Sequence, residues 1–282
     1  MENKRLQSRH LFFMHVLTKK QICEANQGSR EANQESRKAD VGEDGTDMEE
    51  GRTLKIIAHI HTDFATKFGV PRQSGLVEEL TAEIIFEPEY RQPEAFMGLE
   101  EYSHLWLLWD FSEVRRENWS ATVHPPRLGG KEKRGVFATR SPFRPNPIGL
   151  SCVKLLEIVM DGEQAPKLLV AGADLMDGTP IYDIKPYLPY ADAISEARGG
   201  FGQEHKEERI VVEFPEELLN RLPKEKRSAA LAVLAQDPRA AYHKQPDYVY
   251  GMAFAGWDLR FLVHNGILTV TDVVKQGERH VK

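Results

Sequence analysis

Between His124 and Leu150 the chain reads HPPRLGGKEKRGVFATRSPFRPNPIGL. The segment carries Arg127, Lys131, Lys133, Arg134, Arg140 and Arg144 against Glu132 alone, a local balance of 6 − 1 = +5. A proline-stiffened cationic loop inside a compact domain is a place where function concentrates. Its charge suits an anionic partner such as a nucleic-acid backbone. The plainer reading is a solvated surface loop whose prolines brace turns.

A second segment runs Asp174-Leu175-Met176-Asp177-Gly178-Thr179-Pro180 and continues as Ile181-Tyr182-Asp183-Ile184-Lys185-Pro186-Tyr187. It sets three carboxylates beside a lysine and two tyrosines. Asp-Gly-Thr-Pro is a turn, so Asp177 is expected at a strand exit, where ligands bind or where an aspartate merely caps its own backbone. No His or Glu joins these aspartates at metal-ligand spacing, and no metal is expected. A third segment, Val70-Pro71-Arg72-Gln73-Ser74-Gly75, reads as a strand connection. In a fourth, Tyr102 to Trp109, Trp106 and Leu108 are expected in the barrel core, and the polar Asp110–Glu113 at its end is where a ligand would be met. His104 reads as a structural histidine. The chain has no G-x-G-x-x-G, Walker, H-E-x-x-H or G-x-S-x-G pattern, so spacing rules alone name no reaction.

These segments need a frame to hold them. Leu54–His61, Leu80–Phe86, His104–Phe111, Gly135–Ala138, Val153–Val159 and Lys167–Ala173 are short, β-branched and aromatic-rich, with Pro and Gly between them. Amphipathic helices do not alternate with them, which argues against a doubly wound parallel sheet and for a closed barrel. The stretch 191–205 is rich in Gly and charge and reads as a linker. Beyond it, Arg209–Phe214 alternates like a strand, and Pro215 and Pro223 open helices over Glu216–Leu222 and Lys224–Gln236. Asn265-Gly266 turns a hairpin between Trp257–His264 and Ile267–Val274. The expected fold is mainly β: a barrel over 51–192 and a small C-terminal α+β domain over 193–282.

Residues 18–50 hold no aromatic side chain and few aliphatic ones, so they bury too little surface to offset the entropy of ordering. Residues 1–50 are expected to be a disordered tail. Met48 lies just before the first strand-like segment, so translation starting there would remove it. The 282 residues allow one large or two modest domains at roughly 150 residues each. A net charge of −6, from 43 acidic and 37 basic residues, excludes a globally basic coat but not a local basic groove. No apolar run reaches the roughly 20 residues of a membrane span, and Leu11–Leu17 is too short and His-interrupted for a signal peptide. Cys23 and Cys152 support neither a disulfide framework nor a zinc site. A cytoplasmic protein is expected.

At these segments the sequence resembles the TsaA-like family, specifically its tRNA-methyltransferase O group. The stretches are KFGVPRQSGL (67–76), GLEEYSHLWLL (98–108), HPPRLGG (124–130), GVFATRSPFRPNPIGLS (135–151), DLMDGTPIYDIKPYLPYAD (174–192) and LAQDPRAAY (234–242). The resemblance covers about 54–274, and the tail has no counterpart. The chain departs at Ala240, where the family pattern has a second proline in Asp-Pro-Arg-Pro-x-Tyr.

The resemblance implies a six- or seven-stranded barrel methyltransferase that uses S-adenosyl-L-methionine without a Rossmann fold and works as a homodimer. It implies methylation of the base nitrogen of threonylcarbamoyl-adenosine at position 37, in the tRNA anticodon loop. The family's cofactor residues fall on Arg72, Gln73, Ser112, Glu113, Arg140, Leu150, Asp174, Leu175, Met176 and Asp177. Arg140 suits a bidentate pair with the cofactor carboxylate, and a carboxylate such as Asp177 suits its ammonium or ribose hydroxyls. The accepting nitrogen must lose a proton, for which Asp183, Lys185, Tyr187 and Asp177 are the candidates. Arg144 or Lys185 suits the threonyl carboxylate. Phe143, Tyr187 and Tyr242 suit stacking with splayed bases, and Asp237, Arg239 and Tyr242 suit a tRNA surface. A non-catalytic RNA-binding barrel and an S-adenosylmethionine sensor are the alternatives.

Overall fold

The computed structural model describes residues 53–114, 119–125, 128, 132–202, 209–239, 245 and 248–277. The tail expected over 1–50, and the candidates Arg127, Lys131 and Tyr242, lie outside them.

Six antiparallel strands close a barrel. They are β1 (Ala58–His61), β2 (Thr81–Phe86), β3 (His104–Asp110), β6 (Ile148–Val159), β7 (Lys167–Ala171) and β8 (Thr179–Pro186). Around the barrel they run in the order β1-β2-β7-β6-β3-β8. Period-2 alternation decides which side chains enter. Along β3, Leu105, Leu107 and Trp109 are buried, whereas His104, Trp106, Leu108 and Asp110 lie toward the outside. Trp106 and Leu108 are therefore not the core residues expected from the sequence: a strand apolar on both faces does not reveal which face turns inward. Ile60, Ile84, Val153, Leu168, Val170 and Ile181 fill the same interior.

Besides an unexpected strand at Tyr250–Phe254 and a helix that spans Glu216–Leu219 instead of Glu216–Leu222, three segments of the barrel region differ from the sequence expectation. The run Gly135–Ala138 is not a strand. Only a two-residue ladder forms, between β4 (Thr122–Val123) and β5 (Arg134–Gly135), followed by a 3₁₀ turn at Val136–Ala138. Strand β6 begins at Ile148, five residues before the expected start, because Gly149 lets the chain pass against the Trp109 ring that faces it in register. The acidic segment past Asp177 is strand β8, which pairs with both β1 and β3 and closes the barrel.

The later residues build a second sheet from β9 (Val211–Glu213), β10 (Tyr250–Phe254), β11 (Trp257–His264) and β12 (Ile267–Lys275), in the order β10-β11-β12-β9. Asn265 and Gly266 turn the β11–β12 hairpin with φ of 48° and 79°, the left-handed pair that a two-residue turn requires. The helix Arg227–Ala235 packs on this sheet through Ala229, Ala230, Val233 and Leu234. Phe64, Val77 and Leu80, from the connection between β1 and β2, belong to this second core rather than to the barrel interior. That connection carries Arg72 and Gln73, so the second core backs the segment that bears them. No helix among the described residues is long and apolar enough to cross a membrane.

Candidate functional site

A cavity of about 550 Å³ opens beside the β3–β6 edge of the barrel, within the roughly 300–1,000 Å³ range of small-molecule sites. Four segments that lie far apart in sequence line it. The β1–β2 connection gives Pro71, Arg72 and Gln73. The end of β3 gives Trp109 and Phe111. The proline loop and the start of β6 give Thr139, Arg140, Arg144, Asn146, Ile148, Gly149 and Leu150. The segment after β7 gives Asp174. Apolar walls and a few convergent charged groups suit an organic ligand with an aromatic part and an ionic part.

The polar groups are held from behind. Gln73 accepts a hydrogen bond from Arg140 Nη1 and donates its amide to the Arg72 carbonyl. Arg72 Nη2 donates to the Asp237 carbonyl oxygen at 3.4 Å, across to the C-terminal residues. The Ser74 hydroxyl accepts the Cys152 backbone N–H at 3.0 Å, and Gly75 N–H bonds the Gly172 carbonyl at 2.8 Å. The connection is therefore tied to β6, to the segment after β7 and to the second core.

Asp174 is the cavity's carboxylate. Trp109 Nε1 donates to Ser151 Oγ at 2.9 Å, and Ser151 Oγ donates to Asp174 Oδ1 at 2.5 Å. Ser151 is fully buried. An indole N–H is only a donor, so it occupies a lone pair of the hydroxyl and leaves the hydroxyl hydrogen for the carboxylate. Burial pushes the Asp174 carboxyl above its ordinary value, while the Ser151 hydroxyl, the backbone N–H groups of Asp174 and Ser74, and the Arg140 charge pull the other way.

The sign of that shift gives a measurable expectation. A carboxyl with a raised folded-state pKa holds its proton in the folded chain at pH values where the unfolded chain has lost it. Folding stability should therefore fall as pH rises from the ordinary carboxylate value of 3.8 to the raised one. The Asp174→Asn variant lacks this decline. Melting temperatures followed against pH should separate parent from variant across that window, and superposed curves would refute the buried carboxyl.

The candidates divide among several places. Arg72, Gln73, Arg140, Arg144, Leu150 and Asp174 share the cavity. Leu175 is buried in the barrel core, and the Met176 carbonyl accepts the Thr179 hydroxyl at 2.8 Å. Asp177 stands at the end of β1, where its Oδ1 accepts the Thr62 N–H at 3.1 Å and meets His61 Nδ1 at 3.2 Å. Thus the carboxylate that joins Arg140 is Asp174, not Asp177. Ser112 and Glu113 lie in the turn after Phe111, next to the lining rather than in it.

Asp183 and Lys185 lie on the outer face of β8, paired at 2.8 Å. Tyr187 packs on His104 and Trp106, with ring centroids 6.2 and 5.7 Å apart. In register, Asp183 faces Leu108 and Leu108 faces Leu150. That places Asp183 about 10 Å, two strand spacings, from the cavity rim. Phe143 is half-buried in the proline loop and accepts the Ser120 N–H through its carbonyl at 3.3 Å. Arg239 is 8% exposed, with Nε and Nη2 on the two carboxylate oxygens of Asp237 at 2.7 and 2.9 Å. Its fork holds the turn whose carbonyl receives Arg72. Sequence reasoning misses Trp109 and Ser151 as parts of the site. A tryptophan and a serine at diagonal positions of two core strands carry no signal until the strands are paired.

Comparison with known proteins assigns this architecture. Residues 59–193 match the tRNA-methyltransferase O N-terminal domain and residues 207–276 the TrmO C-terminal domain. The tRNA (adenine(37)-N6)-methyltransferase of Escherichia coli K12 is 44% identical over 207 residues, 71% of this chain and 87% of that protein. The chain belongs to the TrmO family. A Pseudomonas aeruginosa protein carrying the name S-adenosylmethionine-dependent methyltransferase RcsF is 41% identical over 73% of this chain and 90% of its own length. The crystal structure of TrmO from Pseudomonas aeruginosa superposes with a TM-score of 0.63 at 34% identity, covering 79% of this chain and 99% of that one. The second sheet and, apart from Ala58, the barrel fall within the TrmO-matched residues.

Proposed function

We propose that the chain transfers a methyl group from S-adenosyl-L-methionine to the base nitrogen of threonylcarbamoyl-adenosine at position 37 of tRNA. One observation carries this reading: in a TrmO chain, the cationic loop, the Arg72–Gln73 connection and Asp174 converge on one cavity of about 550 Å³. Its residues fit the methyl donor. Trp109, Phe111, Ile148 and Leu150 offer apolar walls for an adenine, Asp174 a carboxylate for a cationic or hydroxyl-bearing part, and Arg140 a fork for a carboxylate. When bound, the cofactor supplies an electrophilic methyl on a sulfonium. Much of the protein's task is then positioning, since a held pair of reactants has already lost the freedom that a bimolecular displacement must give up.

The outer face of β8 supplies the proton chemistry in this reading. Hydrogen bonding and charge from Asp183 raise the Lys185 ammonium above the usual lysine range, so Lys185 stays a cation suited to the threonyl carboxylate. Asp183 is then the proton acceptor, with Tyr187 beside it to orient the base. Ser112 and Glu113 close the rim beyond Phe111. The division into a catalytic barrel over 51–192 and a C-terminal unit over 193–282 that braces the Arg72 connection belongs to the same reading. So do a homodimer, an anticodon-loop substrate and a cytoplasmic place of work.

The test compares tRNA nucleosides by mass spectrometry in cells with and without the gene. The methylated threonylcarbamoyl-adenosine peak should vanish with the gene. A peak that survives unchanged in its absence sinks the reading.

A further inference from the structure

Trp119 and Phe137 form an exposed aromatic pair beside the cavity. Trp119 is 52% exposed and Phe137 75%, yet their rings stack with centroids 6.3 Å apart and planes 23° from parallel. The short β4–β5 ladder explains how two such side chains meet. Thr122 faces Gly135, and the pairing extends outward through the Val136 N–H to the Ala121 carbonyl at 3.0 Å. Trp119 and Phe137 therefore stand side by side at the open end of this ribbon. Buried Val123 and Val136 pin the ribbon from below. Two further bonds steady its Trp119 side: Ser120 N–H to the Phe143 carbonyl at 3.3 Å, and Ser120 Oγ to the Thr122 carbonyl at 2.6 Å. Phe137 is three residues from Arg140, which lines the cavity, so their backbones are at most about 11 Å apart.

The surroundings decide what such a pair meets. Lys133 is exposed, Arg134 pairs with Glu132 at 2.8 Å, and Arg140 and Arg144 stand at the cavity. Glu132 is the single carboxylate in the sequence from Trp119 to Ser151. Flat apolar rings among cations complement a polyanion that carries flat rings, which is single-stranded nucleic acid. Two copies meeting through this patch would face cation to cation.

We propose that Trp119 and Phe137 are a stacking platform for an unpaired base that flanks the methyl-accepting nucleotide of the tRNA. The platform rests on the methyltransferase reading and adds to it the residues that grip the loop. One flanking base lies on the rings while Lys133 and Arg134 take the phosphates beside it, and the target base is thereby led toward the cavity.

The experiment uses the full chain, S-adenosyl-L-methionine, and tRNA prepared from cells lacking the gene. Trp119→Ala and Phe137→Ala should each weaken tRNA binding or raise KM for tRNA about tenfold, the scale of one lost base–aromatic stack. Cofactor affinity by calorimetry and the melting temperature should stay at the parent values, because both side chains are largely in water. Trp119→Tyr and Phe137→Tyr should restore most of the loss, since a ring is what the base needs. Parent-like tRNA affinity in the double alanine variant overturns the platform while leaving the methyltransferase reading intact. Altered sedimentation of the variants with unchanged tRNA affinity assigns the patch to contact between copies and also overturns it. A parent chain that binds neither cofactor nor tRNA removes the underlying reading instead.

Discussion

Asp183→Asn should lower kcat for tRNA methylation by between about a hundredfold and ten-thousandfold, the usual worth of a positioned proton acceptor. The amide keeps the shape and the hydrogen bond to the Ile184 N–H, present at 3.0 Å in the parent, but it cannot take a proton. Asp183 lies on the outer face of β8 and contributes nothing to the cavity lining or to either buried core. Cofactor affinity and melting temperature should therefore match the parent. Lys185→Gln should behave differently, raising KM for tRNA with a smaller change in kcat. A variant with parent kcat would move the proton acceptor elsewhere, to Tyr187 or Asp177.

Gly149→Ala is the second large effect, and it acts through packing. A Cβ built on Gly149 would lie 2.1 Å from Trp109 Cε2 and 2.4 Å from Cδ2 and Cζ2. The neighbour is the body of a rigid indole, not the end of a flexible chain, so the ring must move. Its displacement breaks the Nε1 bond to Ser151, frees the Ser151 hydroxyl from its orientation toward Asp174, and shifts one wall of the cavity. Overpacking of this kind costs about 1–3 kcal/mol of stability. Cofactor affinity should drop by more than tenfold in addition. Ser151→Ala separates the two effects, since it removes the link to Asp174 while leaving Gly149 and its neighbour in place. Full cofactor affinity in Gly149→Ala, measured below its melting temperature, would show that the indole wall is dispensable.

Much of the fold is legible in the amino-acid sequence alone. The barrel strands are readable as short β-branched and aromatic-rich runs, but His104–Asp110 is apolar on both faces, so its sequence does not show that Leu105, Leu107 and Trp109 point inward instead of Trp106 and Leu108. The Asn265-Gly266 hairpin is readable because left-handed backbone leaves few residue choices. Three things are hidden. Strand β8 reads as turn chemistry because Asp177-Gly178-Thr179-Pro180 opens it and a register shift interrupts its pairing with β3. The roles of the two neighbouring aspartates are blurred because Asp174 and Asp177 both stand in one motif. Only the fold shows that Asp174 faces Ser151 while Asp177 caps the end of β1. Arg239 reads as a surface cation, but a fork closed on a carboxylate two residues earlier leaves no mark in composition.

The segment that bears Arg72 and Gln73 is threaded near the start of the barrel, yet Phe64, Val77 and Leu80 around it are covered by β10, β11 and β12 and the helix before them. Gly69 packs so closely on Met252 that even a methyl group there would collide with its sulfur. Synthesis proceeds from the amino terminus, and early segments collapse before later ones emerge. A nascent chain can therefore close its barrel while the Arg72 segment still lacks its backing. In the proposed reading, a chain truncated before β10 should therefore grip the donor weakly, because the Arg72 segment would lack its apolar backing.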